Sequence, residues 1–288
     1  MKKNDEIKLK KILKNKVVLI TGGAGSIGSS LAKTLLNYNV KSIRVFDNNE
    51  HALFKLAHSL NDKRIQPLLG DILNKDRVEL AVLGSDIIIH TAALKNIEIT
   101  EYNPIETIDV NVNGTINLLK SIIKNKSNIF INISTDKVAE SSTLYGTTKQ
   151  LGERLTNWAG PHISTTKFAT VRLGNIIETR GNVFEVWNEQ IENKLPLTIT
   201  DPKMKRYFFH MNEAIDFILQ CLLHVNKGEI FVPKMKLQKI TDIASKISKN
   251  QKIVGARQGE KLQEILITDD EKKISKETEN MWIIQNYS

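Results

Sequence analysis

One cysteine stands in the 288 residues of this sequence. Cys221 therefore has no partner for a disulfide within the chain, which suits a reducing compartment, and its setting in Ile218-Leu219-Gln220-Cys221-Leu222-Leu223 predicts core packing. No stretch nears the roughly 20 apolar residues that a membrane span requires, and the lysine-rich beginning has neither a hydrophobic region nor a cleavage site. These absences predict a cytoplasmic protein that engages no membrane. The six histidines lack metal-ligand spacing to one another, to cysteine or to carboxylates, so no metal is expected. Aromatic residues make up 6% of the chain and are not interleaved with its 41 Lys and Arg, whose excess gives a net charge of +9. That charge reads as a solvated surface that favours anionic substrates, and nucleic acid is not the expected partner.

What is present begins with a glycine-rich turn. The apolar run Val17-Val18-Leu19-Ile20-Thr21 is followed by Gly22, Gly25, Ser26, Ile27 and Gly28 and then by a helical apolar pattern. Glycines there let the backbone turn tightly and bring a helix N-terminus to a pyrophosphate. A second apolar run ends in Asp47, nineteen residues after Gly28, where a carboxylate accepts hydrogen bonds from ribose hydroxyls and repels a 2′-phosphate. A dinucleotide cofactor, NAD(P) with NAD favoured, follows from this arrangement. Lys41, Arg44 and Lys55 are nearby cations that could instead reach a phosphate. Asp71 and Ile72 follow a third run and are placed beside the adenine, with a helix N-cap as the second reading of Asp71.

Strand-like runs at 17–21, 43–47, 65–69, 86–91, 128–134, 168–173 and 229–232 alternate with amphipathic helical stretches. With 41% hydrophobic content to build a core, that alternation predicts an α/β fold, a Rossmann-type doubly wound parallel sheet with right-handed crossovers. The pattern loosens after Arg172. Residues 1–172, with 208–232 returning to them, are read as the NAD(P)-binding domain, and 173–207 with 233–288 as a smaller C-terminal substrate lobe. Met1 to Lys16 and Thr268 to Glu279 carry the densest charge and are expected to be the least ordered.

The chemistry is concentrated in Ser134-Thr135-Asp136-Lys137 and Tyr145-Gly146-Thr147-Thr148-Lys149. Tyr145 and Lys149 lie four apart, one helical turn, so the ammonium is expected to lower the phenol pKa and hold a phenolate near a hydroxyl substrate. Asp136 and Lys137 follow an apolar run and would emerge at the C-terminal edge of a strand, where open α/β sheets bind ligands. Taken singly, these are an amphipathic pair and a solvated loop; after a dinucleotide turn they read as a site.

Thr21-Gly22-Gly23-Ala24-Gly25-Ser26-Ile27-Gly28, the Tyr145/Lys149 pair and Asn111-Val112-Asn113-Gly114-Thr115 resemble the extended short-chain dehydrogenase/reductases that act on nucleotide sugars. Ala92-Ala93-Leu94-Lys95, Glu101-Tyr102-Asn103-Pro104, Ser134-Thr135-Asp136-Lys137, Arg172-Leu173-Gly174-Asn175 and Gly259-Glu260-Lys261-Leu262 narrow the resemblance to UDP-N-acetylglucosamine 4,6-dehydratases of the polysaccharide biosynthesis group. The resemblance spans nearly the whole chain. Tyr145, where many relatives have Met, points within that group to the configuration-inverting type that starts pseudaminic-acid-like sugar pathways. Two departures are Glu140-Ser141-Ser142 in place of Asn-Pro, and Gln258 and Gln263 in an Arg-Pro-Gly-Glu-Lys-Leu-His-Glu pattern.

The resemblance implies a tightly held nicotinamide cofactor, with Ala92 in its site, and a homo-oligomer paired through helices around Ile105 to Ile123 and Tyr145 to Asn157. It also implies a UDP-sugar as the partner. Tyr145 would take the C4 hydroxyl proton as hydride leaves, with Thr135 bonded to the same hydroxyl; Lys137 would take the C5 proton and Asp136 protonate the departing C6 hydroxyl. Hydride then returns to C6, and C5 is reprotonated from a face that the sequence does not fix. Asn175 and Arg257 are candidates for the diphosphate and Glu260 for the uridine ribose. Arg206 is a diphosphate candidate or a solvated basic turn, and Lys95 lines the sugar pocket or the surface. Two rival readings stand beside this one, a nucleotide-sugar 4-epimerase or reductase, and a non-catalytic cofactor sensor on the same fold.

Overall fold

The computed structural model describes residues 3–179, 181–256 and 260–285. It opens on a helix, α1 (Lys3–Leu13), contrary to the expectation of a loose end. Leu9 and Leu13 lie one turn apart and are both fully buried in the main core, so an apolar stripe fixes the segment despite its lysines.

The first half of the large sheet follows as β1 (Val17–Thr21), α2 (Ser26–Leu35), β2 (Ser42–Asp47), α3 (Glu50–Leu60), β3 (Ile65–Leu69), α4 (Lys75–Val82) and β4 (Ile87–His90). Its second half contains α5 (Ile97–Tyr102), α6 (Pro104–Ile108), a π-helical turn at Asp109–Asn113, α7 (Gly114–Asn125), β5 (Ile129–Thr135), a 3-10 turn at Asp136–Val138, α8 (Leu144–His162) and β6 (Lys167–Leu173). The chain then leaves the sheet as β7 (Asn175–Ile176), α9 (Val183–Glu192), β8 (Leu197–Ile199) and β9 (Lys205–Phe209), and returns as α10 (Met211–Cys221) and β10 (Lys227–Pro233). It leaves again as β11 (Leu237–Lys239), α11 (Ile240–Ile247) and β12 (Gln251–Ile253), and ends with α12 (Asp269–Lys273), β13 (Ser275–Glu277) and β14 (Met281–Ile284).

Nine strands form the large sheet in the order β13-β14-β10-β6-β5-β4-β1-β2-β3. From β3 to β10 every pairing is parallel, and β14 and β13 add on antiparallel. The order 3-2-1-4-5-6 is the doubly wound arrangement, whose ligand crevice lies outside the strand C-termini between β1 and β4. Alternation along the buried strands sends Val18, Ile20, Ile131 and Val171 to a core under α1, α2 and α10. The opposite face sends Leu19, Ile88, Phe130 and Phe168 to a second core that includes Val82, Leu118 and Ala159 of α4, α7 and α8.

The lobe has its own small core around Trp187, Leu197, Ile199, Met204, Ile240 and Ala244. It does not take all of 233–288, as the sequence division had it. β14 pairs back onto β10 of the large sheet and β13 onto β14, and the stretch expected to be least ordered there is held by a capping box of Thr268 and Glu271.

Candidate active site

The turn after β1 closes at Gly22, whose φ of +63° is left-handed and whose Cβ, if present, would fall 2.6 Å from the backbone of Ala92. Gly28 lets α2 press onto the same turn, since a Cβ there would fall 2.5 Å from the carbonyl oxygen of Gly22. The result aims the first turn of α2, which has no acidic residue, into a cleft at the sheet edge. That cleft has an empty volume of about 1000 Å³, open mouth included, and Gly22, Gly25, Ser26 and Ile27 form one wall. Asp47, Asp71, Ile72 and Ala92 form another part of it. Gly28 lies behind the cleft in a packing role. Lys95, a candidate for the sugar pocket or the surface, is exposed and lines this cleft.

Asp47 ends β2 and accepts backbone N–H groups of Ala24 and Asn49, both at 3.0 Å, which joins it to the glycine turn. Asp71 accepts from Leu73 N at 2.8 Å; the side chain that caps α4 is Asn74, so the N-cap reading of Asp71 does not hold. Arg44 turns away from the cleft and donates to Ala81 and Leu83 carbonyls at the end of α4 and to Ser85. Lys41 precedes β2 at the other end of the strand from Asp47, and Lys55 is exposed on α3.

At the end of β5 the strand passes directly into the 3-10 turn, which brings three side chains together. Thr135 Oγ1 donates to Asp136 Oδ1 at 3.1 Å, and Lys137 Nζ donates to the same oxygen at 2.9 Å. Asp136 is fully buried, and its Oδ2 has no protein partner among the described residues. Lys137 also donates to Asn175 Oδ1 at 3.5 Å, so Asn175 sits beside the Asp136–Lys137 pair. Burial works against the Lys137 ammonium, yet Asp136 and Glu264 outweigh it and hold its pKa above the ordinary lysine value.

Tyr145 opens α8 one residue after its start, with Thr143 as N-cap. Helix and turn touch at Gly146, where an added Cβ would lie 2.3 Å from the carbonyl oxygen of Lys137. This contact sets the phenol next to Thr135 and Lys137. Burial raises the phenol pKa, and Lys137 and the Thr135 hydrogen bond pull it back without cancelling the rise. The cation acting on the phenol is thus Lys137, and the lowering by Lys149 expected from helical spacing is not what the structure has. Lys149 is buried one turn along, and burial brings its own pKa down to about 8 against the opposing pull of Glu153.

Glu264, His90 and Asn111 were not read from the sequence as site residues. Glu264 is 5% exposed and interacts with Lys137, Asp136 and Arg206; burial raises its pKa, and Asp136 adds to the rise. Arg206 itself is buried on β9, bonded to the carbonyls of Lys205 and Leu262, so it is no solvated turn. His90, at the end of β4, lies between Thr21 and Thr115 at 2.6 and 3.1 Å. Thr115 spends its proton on the Asn111 carbonyl, so His90 carries its proton on Nε2 and accepts from Thr21 at Nδ1. Burial and the charge of Lys149 push its pKa down to about 3. Asn111, in the π-helical turn, binds both backbone groups of Leu94 and donates to Thr148, tying the cleft wall to α8.

Arg172, buried on β6, makes paired hydrogen bonds to Glu153 of α8 and Glu271 of α12. Glu260 is half-buried in the segment that leads to Glu264. Arg257 lies outside the described residues.

Residues 18–286 match the family described as "Polysaccharide biosynthesis protein". The sequence is 39% identical over 289 residues to an uncharacterized membrane protein, MJ1061, of Methanocaldococcus jannaschii, covering 95% of this chain and 87% of that one. It is 36% identical over 277 residues to a UDP-N-acetylglucosamine 4,6-dehydratase (inverting) of Campylobacter jejuni, covering 93% and 82%. A UDP-glucose 4-epimerase of Rickettsia rickettsii is 33% identical over 269 residues, covering 89% and 79%. Among solved structures, Pen from Bacillus thuringiensis superposes with a TM-score of 0.91 at 33% identity, over 96% of this chain and 89% of that one.

Proposed function

The chain belongs to the polysaccharide biosynthesis protein family, and from that membership we propose that it is a UDP-N-acetylglucosamine 4,6-dehydratase that yields a 4-keto-6-deoxy sugar. The observation that carries this reading is the buried Thr135-Asp136-Lys137 cluster facing Tyr145. An epimerase or reductase needs the phenol but gives a buried acid and base beside it no task.

The glycine turn, the cleft and Asp47 fit a nicotinamide dinucleotide. Gly22, Gly25, Ser26 and Ile27 would hold its diphosphate and Asp47 its adenosine ribose, with Asp71 and Ile72 along the adenine side and Ala92, Tyr145 and Lys149 toward the nicotinamide. When bound, such a cofactor supplies hydride uptake from C4 and hydride return to C6. The preference proposed is NAD, supported by Asp47 and by the engagement of Arg44 at the far end of α4.

The residues supply the proton chemistry. Tyr145 takes the C4 hydroxyl proton while Thr135 bonds that oxygen. The 4-ketone acidifies C5–H, Lys137 removes that proton, and Asp136 delivers a proton to the C6 oxygen, which leaves as water. Asp136 and Lys137 can exchange one proton across their 2.9 Å contact, so the neutral acid and neutral base need no net charge to enter the site. Inversion at C5, a role in pathways that begin pseudaminic-acid-like sugars, and a cytoplasmic location are parts of the proposal, supported respectively by the C. jejuni relative, by Tyr145 and by the single buried cysteine. Asn175, Arg206, Arg257 and Glu260, in a lobe formed by 173–207 and the segment after 233, and Lys95 at the cleft remain the proposed substrate contacts.

Tyr102, Ile105, Leu151 and Trp158, 88, 71, 46 and 52% exposed on α5, α6 and α8, support pairing of two copies through this face. The test of activity is incubation with UDP-N-acetylglucosamine in deuterated water, followed by proton NMR. A 6-deoxy-4-keto product with deuterium at C5 is expected; a galacto epimer with its C6 alcohol intact would replace this reading by the epimerase.

A further inference from the structure

One residue of the lobe reaches the dinucleotide cleft, and its chain neighbour is tied to a helix of the large-sheet domain. Among the described residues, the cleft wall is built from the glycine turn after β1, from residues at and after the ends of β2, β3 and β4, and from Val110; Thr179 alone comes from the lobe. Thr179 follows β7, a strand of two residues, in a loop that leads through the left-handed Gly181 (φ +72°) to the Asn182 cap of α9. The Ile177 N–H donates to the Phe209 carbonyl at 2.9 Å, and Thr179 Oγ1 to the Ile176 carbonyl at 3.0 Å. Those bonds shape the loop, but both ends of each lie outside the large sheet.

Glu178 carries the loop across to α10, using both carboxylate oxygens. His210 Nδ1 donates to Oε1 and the Met211 N–H, the first of α10, donates to Oε2, each at 2.8 Å. Glu213 of the same helix accepts the His210 N–H at 2.8 Å, which fixes His210 in turn. A carboxylate shared between an imidazole and a helix N-terminus makes charge-assisted bonds with both. Beyond this start, α10 packs through Ala214, Ile215 and Ile218 into the core that also takes Leu31, Ala32 and Leu35 of α2. Since α2 begins at the glycine turn, one body of packing supports both that wall of the cleft and, through Glu178, the place of Thr179 in it.

We propose that Glu178 is a positioning residue, which holds Thr179 in the wall of the dinucleotide cleft by clasping the start of α10. This role rests on the reading of that cleft as the cofactor site.

His210 makes the clasp sensitive to pH. It is exposed, beside a hollow lined by Lys33 of α2 together with Glu178 and Glu213, so bulk water can exchange its proton. The two carboxylates favour the imidazolium and Lys33 opposes it. The hydrogen bond to Glu178 outweighs burial and, with the charges of Glu178 and Glu213, holds the His210 pKa above its ordinary value of 6.5. The ionic form of the clasp is therefore complete at low pH and is lost as pH rises through that raised value.

Exchange of labelled NAD into the purified holoenzyme, or of NADP where that is the nucleotide it carries, tests the role without turnover. At pH 6, Glu178→Ala should release cofactor about 5-fold faster than wild type, the upper scale of an exposed charged contact, with an unchanged circular dichroism spectrum. Wild-type release should quicken by roughly 3-fold between pH 6 and pH 8 as the charge-assisted bond weakens. Both Glu178→Ala and His210→Gln should flatten that rise. Equal release by wild type and Glu178→Ala at both pH values would overturn the proposal and leave the cofactor site standing. Faster release with the wild-type pH dependence intact would reduce Glu178 to an ordinary structural contact, and it too would overturn the proposal. A wild-type protein that holds neither nucleotide would overturn both readings. The ionisation midpoint of His210, followed through its ring protons by NMR, needs no cofactor. It should fall in Glu178→Gln; an unmoved midpoint would show that no clasp forms in solution and end the proposal.

Discussion

Asp136 and Lys137 are chain neighbours, yet their side chains meet because the backbone turns from strand to 3-10 helix between them. The separate tasks proposed for them predict a divided phenotype. Asp136→Asn and Lys137→Met should leave C4 oxidation intact, seen as reduced-nicotinamide absorbance in a single turnover, while lowering product formation by about 10²-fold or more. Loss of both signals together would place these residues in binding rather than elimination. His90 gives a prediction about stability. Its folded pKa is near 3 and its ordinary value 6.5, so the unfolded chain binds a proton that the folded protein refuses between those limits. Its contribution is complete above pH 6.5 and is lost on acidification at up to about 1.4 kcal/mol per pH unit. Urea midpoints between pH 7 and 5 should therefore fall more steeply in wild type than in His90→Asn. Residues on consecutive elements, Thr135, Asp136, Lys137, Tyr145 and Lys149, were legible because spacing alone brings them near. Glu264 and the burial of Arg206 were not, because a return of the chain more than a hundred residues later places Glu264 beside Lys137, and the same return covers Arg206.

Among the elements, α8 does the most to build the site, through contacts at both ends. Gly146→Ala would force the start of the helix off the Lys137 carbonyl, and displacement of Tyr145 by about 1 Å should cost on the order of 10²-fold in kcat with the fold retained. Unchanged kcat with a native circular dichroism spectrum would refute that account. Farther along, Glu153 anchors the helix to Arg172, which also holds Glu271. Arg172→Met leaves two carboxylates facing each other in a buried space and should destabilise the protein by about 3–5 kcal/mol, read from denaturant midpoints. The parallel strands were readable to within two residues at each end, since runs buried on both faces are continuously apolar. The pairs β8–β12 and β7–β9 were not, because strands of two or three residues show no period and owe their form to partners far away in the chain.

For the whole molecule, the exposed apolar face on α5, α6 and α8 predicts association. Trp158→Asp combined with Ile105→Asp should convert a homo-oligomer to monomers by size-exclusion light scattering, with circular dichroism unchanged; a wild type that is already monomeric would dispose of that interface. The doubly wound sheet was legible as a whole, and the path of the C-terminal part was not, since charge density at 268–279 hides a capping box and β13, a strand that forms only against β14 at the edge of β10. That edge has a mechanical consequence. The chain leaves the sheet after β6, comes back at β10, leaves once more and comes back at β14, so the lobe is held at both ends like a handle. A single protease cut in the exposed stretch 252–256 should separate two fragments on a denaturing gel while the nicked protein still elutes as one particle.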